Sequence, residues 1–344
     1  MARVTLAAAN LRIEHDKARN LAKFLEVIDD AAARGVDVLV LPEVGLQGYA
    51  DFAFGLGDKA TAEQKQYYFR SAEPVPGPAT EAVRAKAAEH GMYVQLGLAE
   101  RALHGNVVLN ATALIGPDGV VGIYRKMHNQ FEFPYFNAGE SAPVFDLPFA
   151  RAASLICYDL AFPELMRVFA LKGATLALMS TAWPMRGHDR EDDYHGWSMD
   201  IAAQANAFFN QMWLVVSNHC EKNVYSGGLD YWGNSQIVDP YGKVVASLAD
   251  EEGLVVHSAD LDAEVLTSRT DGFFGLNLLQ DRRPQHYREL VDVSPYAPPT
   301  HPAGGRYLPA RAPESDEQPL WAQGNGTAAP ADNGAAPAAR PAAG

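Results

Sequence analysis

The chain has 344 residues, 48% hydrophobic and 10% aromatic, enough for a large core in one big domain or two ordinary ones. The 28 lysines and arginines face 42 acidic residues, a net charge of −14 without a basic stripe, which argues against nucleic acid and anionic membranes as partners. Two cysteines allow at most one bridge, the N-terminal stretch lacks a cleavable apolar leader, and no apolar run reaches the roughly 18 residues of a span. A cytoplasmic protein is expected, in which the sequons at Asn110 and Asn325 carry no weight.

Residues 4–9 read as a short buried strand, and 17–34 place Leu21, Phe24, Leu25 and Ile28 at helical spacing before Gly35 ends the helix. Residues 36–42 form a second apolar strand that runs into Glu43. A helix over 79–90 stops at Gly91, with strands over 92–98 and 111–115 beyond it. The segment 113–122 reads as a β-hairpin around a Pro-X-Gly turn, and its outgoing strand leads to Arg125 and Lys126. Residues 150–156 are a strand into Cys157, 163–171 a helix ended by Gly173, and 175–180 a strand into Thr-Ala-Trp-Pro. A long helix fills 196–211, a strand 213–218, and a second hairpin of the same kind 236–246. Strand and helix alternation indicates an α/β protein, and the repeated hairpin suggests two equivalent halves that build two sheets. From about 309 the chain turns Pro-, Ala- and Gly-rich and lacks the apolar content to fold. One domain over 1–308 and a disordered tail over 309–344 are expected.

Cys157 ends an apolar run and precedes a turn into a helix, which suits a displayed nucleophile whose thiolate the helix start favours. A small buried hydrophobe is the competing reading. Glu43 and Lys126 also follow apolar strands, and so offer a carboxylate and an ammonium that could activate a thiol. Taken singly, Glu43 could equally cap a turn and Lys126 could be an ordinary solvated charge.

Together these residues resemble the nitrilase, or carbon–nitrogen hydrolase, superfamily, whose members carry Glu, Lys and Cys in this order at strand ends. The matching motifs are Leu-Pro-Glu43 with Gly45 and Tyr49, Tyr124-Arg-Lys126 with His128, and Cys157-Tyr-Asp-Leu-Ala-Phe-Pro-Glu164. Asn110, Gly116-Pro-Asp-Gly119, Thr181-Ala-Trp-Pro184, Ala203 to Asn206 and Gly233-Asn-Ser235 extend the likeness from about residue 3 to about 265.

The resemblance implies a four-layer α-β-β-α sandwich and an amidohydrolase mechanism through a Cys157 thioester. Glu43 would be the general base and acid, Lys126 would stabilise both the thiolate and the developing oxyanion, and the Tyr158 N–H would be a second oxyanion donor. A second glutamate follows the lysine in the family; Glu132 fits that place better than Glu140, with aromatics and Gly139 after it. Tyr158-Asp159 resembles amidases and carbamoylases, whereas nitrile-cleaving members usually have Trp-Glu there. The expected substrate is a small amide or N-carbamoyl compound, with a nitrile as the alternative and a non-catalytic binding or scaffold subunit as the alternative of another class. Tyr49, Tyr158 and Trp183 are candidate substrate contacts, and Phe131, Phe133 and Tyr135 could also wall a pocket or be plain core. No metal or other cofactor is expected; a nucleotide-binding α/β reading fails for want of a Gly-x-Gly-x-x-Gly after the first strand. The acidic stretch between His188 and His195 reads as a helix start rather than a metal cluster or a cation site. A homodimer or higher homo-oligomer is implied, joined through helices beside the site, with Leu165, Val168, Phe169 and Leu171 as candidates for such a face.

Overall fold

The elements in chain order are β1 (Val4–Asn10), α1 (Lys17–Ala33), β2 (Val38–Val40), α2 (Ala62–Ser71), α3 (Pro78–His90), β3 (Tyr93–Arg101), β4 (Val108–Gly116) and β5 (Gly119–Arg125). They continue with β6 (Val144–Leu147), β7 (Ala150–Ile156), α4 (Pro163–Leu171), β8 (Leu176–Ser180), α5 (Tyr194–Asn210), β9 (Trp213–Ser217), β10 (Lys222–Asn223), β11 (Leu229–Asp230), β12 (Ser235–Val238), β13 (Val244–Leu248), β14 (Gly253–Ala259) and α6 (Leu261–Thr270). The computed structural model describes residues 3–49, 62–102, 107–129, 132, 135–187, 189–223 and 229–291, so the tail expected over 309–344 lies outside the described residues. All of these residues belong to one unit, Met1–Ser294.

Helix boundaries follow local chemistry. The Asp16 carboxylate caps α1 by accepting from the N–H groups of Ala18 and Arg19, and Phe24, Ile28 and Ala31 then bury one face. Pro78 opens α3, and Gly91, at φ +67°, closes it in the left-handed conformation. The acidic stretch before α5 does mark a helix start: Asp193 is the cap and accepts from the Gly196 N–H, so the helix begins at Tyr194.

Two six-stranded sheets run in the orders β14-β1-β2-β3-β4-β5 and β13-β12-β9-β8-β7-β6. In the first, β1, β2 and β3 are parallel, with antiparallel β14 at one edge and the β4–β5 hairpin at the other. The second repeats the plan with parallel β7, β8 and β9, antiparallel β6, and the β12–β13 hairpin. The two equivalent halves anticipated from the paired hairpins are therefore present.

Side-chain alternation distributes the core among four layers. On β1, Ala7 and Ala9 face α1 and α3, where Phe24, Ile28 and Val83 pack. Leu6 and Ala8 face the other sheet and meet Leu176, Leu178, Trp213 and Val215. Beyond the second sheet, Leu165 and Phe169 of α4 and Met199 and Ala203 of α5 pack on Leu155, Met179 and Val216. The result is the expected α-β-β-α sandwich.

A polar staple crosses the apolar layer between the sheets. The Gln95 amide donates to Leu178 O and Ser180 Oγ, both at 3.1 Å, and accepts from Ser154 Oγ at 2.7 Å. Ser180 Oγ in turn donates to Leu41 O at 2.7 Å. Fully satisfied buried networks of this kind fix one alignment. Leu41 leads to Glu43 and Ser154 leads to Cys157, so this alignment is the one that sets the site.

Candidate active site

β5 runs in the direction of β2, and the two strands deliver Lys126 and Glu43 to the same edge of the first sheet. Two glycines let other backbone segments approach these residues. A Cβ at Gly97 would sit 2.1 Å from Pro42 O and 3.1 Å from Glu43 Cα, and one at Gly139 would sit 2.2 Å from Arg125 O. The Gly139 N–H donates to Lys126 O at 2.7 Å. Cys157 comes from the second sheet. It stands at φ +45° and opens a 3₁₀ turn, Cys157–Ala161, a left-handed conformation that non-glycine residues rarely adopt. The Asp159 carboxylate holds this turn by accepting from the Ile156 N–H at 3.1 Å. The Tyr158 N–H lies in the first turn, where no intrahelical acceptor exists.

Glu43, Lys126 and Glu132 are buried together. Lys126 Nζ donates to Glu43 Oε1 at 2.7 Å and to Glu132 Oε1 at 2.6 Å. Asn110 Nδ2 donates to Glu43 Oε1 at 2.7 Å and to Glu132 Oε2 at 3.3 Å, and the Tyr49 hydroxyl donates to Glu132 Oε1. Glu43 Oε2 accepts the Ala182 N–H at 2.9 Å. The His219 Nε2 bonds Glu43 O at 2.7 Å; because a carbonyl only accepts, this nitrogen carries the proton.

The electrostatics follow from this burial. Desolvation pushes the Glu43 carboxyl up to about 7, against the pull of the Lys126 ammonium and with the Glu132 charge adding to the rise. Desolvation alone would lower the Lys126 ammonium, but the Glu132 and Glu43 carboxylates outweigh it and hold the group well above its usual range. Burial drives the His219 imidazole down to about 4, so it is neutral. Cys157 is half-buried, and its surroundings, followed by the Glu43 charge, push the thiol well up. Lys126 and Thr181 pull the other way without prevailing. Burial thus works against the thiolate that the helix start was expected to favour.

The structure brings Glu43, Lys126 and Glu132 together with their charges acting on Cys157, whereas Glu140 is exposed and outside the cluster. Of the candidate substrate contacts, Tyr49 commits its hydroxyl to Glu132, and Tyr158 is half-buried with its ring edge-on to Phe162. Trp183 is only 7% exposed, donates its indole N–H to His195 O at 2.7 Å, and packs in the core. Tyr135 packs with Tyr68, while Phe131, Phe133 and His188 lie outside the described residues. Among the described residues, the group of possible metal ligands is Asp29, Glu89 and His90, which is exposed and comprises none of the site residues. The shared roles of Asn110, Asp159, Thr181 and His219 escaped the sequence reading. The available signal was a polar residue within or just after an apolar strand.

The fold is that of the nitrilase superfamily. The amidase of that superfamily from Nesterenkonia sp. AN1 matches with a TM-score of 0.63 and 25% identity, covering 84% of this chain and 97% of its own. The chain belongs to the carbon–nitrogen hydrolase family, whose profile matches residues 5–269, and it is a hydrolase of carbon–nitrogen bonds other than peptide bonds. Citrullinase from Francisella tularensis is 31% identical over 85% of this chain and 99% of its own length. N-carbamoylputrescine amidase from Solanum lycopersicum is 29% identical over 84% of this chain and 95% of its own. A glutamate-to-glutamine variant of the Nesterenkonia amidase carries the acetamide moiety of fluoroacetamide covalently on its active-site cysteine.

Proposed function

We propose that this enzyme hydrolyses a small amide or N-carbamoyl compound through a thioester on Cys157, releasing ammonia or an amine. The observation that carries the reading is the buried Lys126 ammonium, bonded to both Glu43 and Glu132 in the cluster whose charges act on Cys157. Glu43 removes the thiol proton, and the sulfur attacks the carbonyl carbon. The oxygen that becomes negative is stabilised by Lys126 Nζ and the Tyr158 N–H. As the carbon–nitrogen bond breaks, Glu43 returns its proton to the departing nitrogen. Glu43 next deprotonates a water that attacks the thioester, and the acid leaves as Cys157 regains its proton. Glu132 orients Lys126 and the substrate or attacking water.

Tyr158-Asp159 after the nucleophile supports amide or carbamoyl substrates over nitriles, and the relatives named for citrulline and N-carbamoylputrescine support carbamoyl compounds among them. The test is ammonia and amine release from panels of amides, N-carbamoyl amines, N-carbamoyl amino acids and nitriles, with wild type and Cys157→Ala. Turnover of the first three classes that vanishes in Cys157→Ala is expected. Release from nitriles alone would overturn the substrate class, and undiminished activity in Cys157→Ala would overturn the mechanism.

We also propose that a second copy of the chain covers α4 and α5. Leu165 and Phe169 are core residues, but Val168 and Leu171 remain exposed, as do Tyr194, Trp197 and Ile201 along one face of α5. Sedimentation should give at least a dimer, and a monomer on Trp197→Glu. A monomeric wild type would refute the pairing.

A further inference from the structure

The loop after β8 supports the site in a way that the proposed mechanism leaves unused. Strands β7 and β8 are parallel with Ile156 beside Ser180, so the next residues, Cys157 and Thr181, stand side by side at adjacent strand ends. Thr181 is completely buried, and its Oγ1 has no hydrogen-bond partner among the described residues at rest. Its backbone is pinned on both sides. The Thr181 N–H donates to Ser217 O at 2.8 Å, Thr181 O accepts from the Glu43 N–H at 3.4 Å, and the next N–H, from Ala182, holds Glu43 Oε2. The segment that orients the general base therefore also presents a buried hydroxyl beside the nucleophile.

Burying a hydroxyl without a partner is costly, and the cost is recovered if a strong acceptor forms next to it. The thiolate is such an acceptor. Lys126, whose charge acts on the sulfur, is already divided between two carboxylates, so it does not serve the sulfur alone. The charged and titratable groups acting around Cys157 are Glu43, Lys126, Glu132 and Tyr49, and the Thr181 hydroxyl is among those that pull the thiol down.

We infer that Thr181 is a further catalytic residue, whose hydroxyl donates a hydrogen bond to the Cys157 sulfur when Glu43 has taken the thiol proton. Thr181 keeps its own proton throughout. The proton moves from Sγ to the Glu43 carboxylate, the sulfur lone pair forms the bond to carbon, and the Thr181 hydrogen bond weakens as the thioester forms. This role rests on the Cys157 mechanism proposed above.

The test compares wild type, Thr181→Val, Thr181→Ala and Thr181→Ser by kcat, by the pH dependence of iodoacetamide alkylation at Cys157, and by thermal unfolding. A hydrogen bond to a charged acceptor predicts a kcat lower by about tenfold or more in Thr181→Val. The midpoint of the alkylation profile should move to higher pH in Thr181→Val and Thr181→Ala, and Thr181→Ser should restore both readouts. Thr181→Val should melt no lower than wild type, because it removes an unpartnered buried hydroxyl. An unmoved alkylation midpoint in both hydroxyl-free variants would overturn the inference, whatever their stability. Loss of activity in Cys157→Ala alongside such a result would leave the thioester reading standing, while an active Cys157→Ala would remove that reading itself.

Discussion

Asp159 Oδ1 stands 2.7 Å from His128 Nδ1, so the residue two places beyond the nucleophile grips the residue two places beyond the lysine. The same buried carboxylate accepts the His128 N–H at 3.1 Å, the Tyr124 hydroxyl at 2.7 Å and the Ile156 N–H at 3.1 Å. Cys157 and Lys126 belong to different sheets, and one side chain ties both segments together.

Replacing Asp159 with alanine leaves the buried Tyr124 hydroxyl and Ile156 N–H, and the half-buried His128, without their acceptor. The expected loss is about 3 kcal/mol or more, since each unsatisfied buried group costs about 1–3 kcal/mol. Asp159→Asn keeps one acceptor oxygen and should lose less. Urea unfolding of both variants checks the order, and equal stability of Asp159→Ala and wild type would contradict it.

Glu43 sets the acid limb of the pH profile. Its carboxyl is raised to about 7, so kcat/KM should climb as pH rises through about 7 and the base becomes ionised. Stability should move the opposite way. The folded value exceeds the ordinary 4.5, so this group's contribution is fullest below about 4.5 and is lost as pH rises through about 7. Glu43→Gln should cut turnover by about 10²–10⁴ and flatten this part of the stability profile. Activity titrations and thermal scans from pH 5 to 9 read both effects.

Gly97→Ala introduces a Cβ 2.1 Å from Pro42 O and displaces the segment carrying Glu43. Overpacking of this kind costs about 1–3 kcal/mol, and here it should also lower kcat more than it raises KM. A variant with wild-type kinetics would show that Glu43 tolerates movement.

Glu132 accepts from Lys126, Asn110 and Tyr49 while nearly fully buried, so its loss should affect folding as well as turnover. Glu132→Ala uncouples a buried ion cluster and should cost about 3 kcal/mol or more. Glu132→Gln preserves shape and one acceptor; kcat should fall by about tenfold or more while most of the stability remains. Parallel kinetics and chemical denaturation separate the two effects.

The local signals that sequence carries best were apolar strands and capped helices. The strands leading to Glu43 and Cys157, and the helix closed by Gly91, lie where periodicity and turn chemistry place them. What periodicity missed is instructive. α2 is largely polar and amphipathic only weakly, and β14 and α6 come after the last recognised hairpin; β14 earns its place only by pairing along the whole of β1. The same division holds at the site. Glu43, Lys126 and Cys157 each follow a strand, whereas the partnerships of Asn110, Asp159, Thr181 and His219 depend on how two sheets face each other. Even the upward push on the Cys157 thiol depends on that three-dimensional context, since it comes from burial and the Glu43 charge.

The thioester itself is read most directly by intact-protein and peptide mass spectrometry of the wild-type enzyme quenched in acid during turnover of an accepted amide or N-carbamoyl substrate. A mass increase equal to the acyl or carbamoyl group is expected, located on the Cys157 peptide and absent from Cys157→Ala. An unmodified Cys157 in every quenched sample, together with product release by Cys157→Ala, would contradict the thioester.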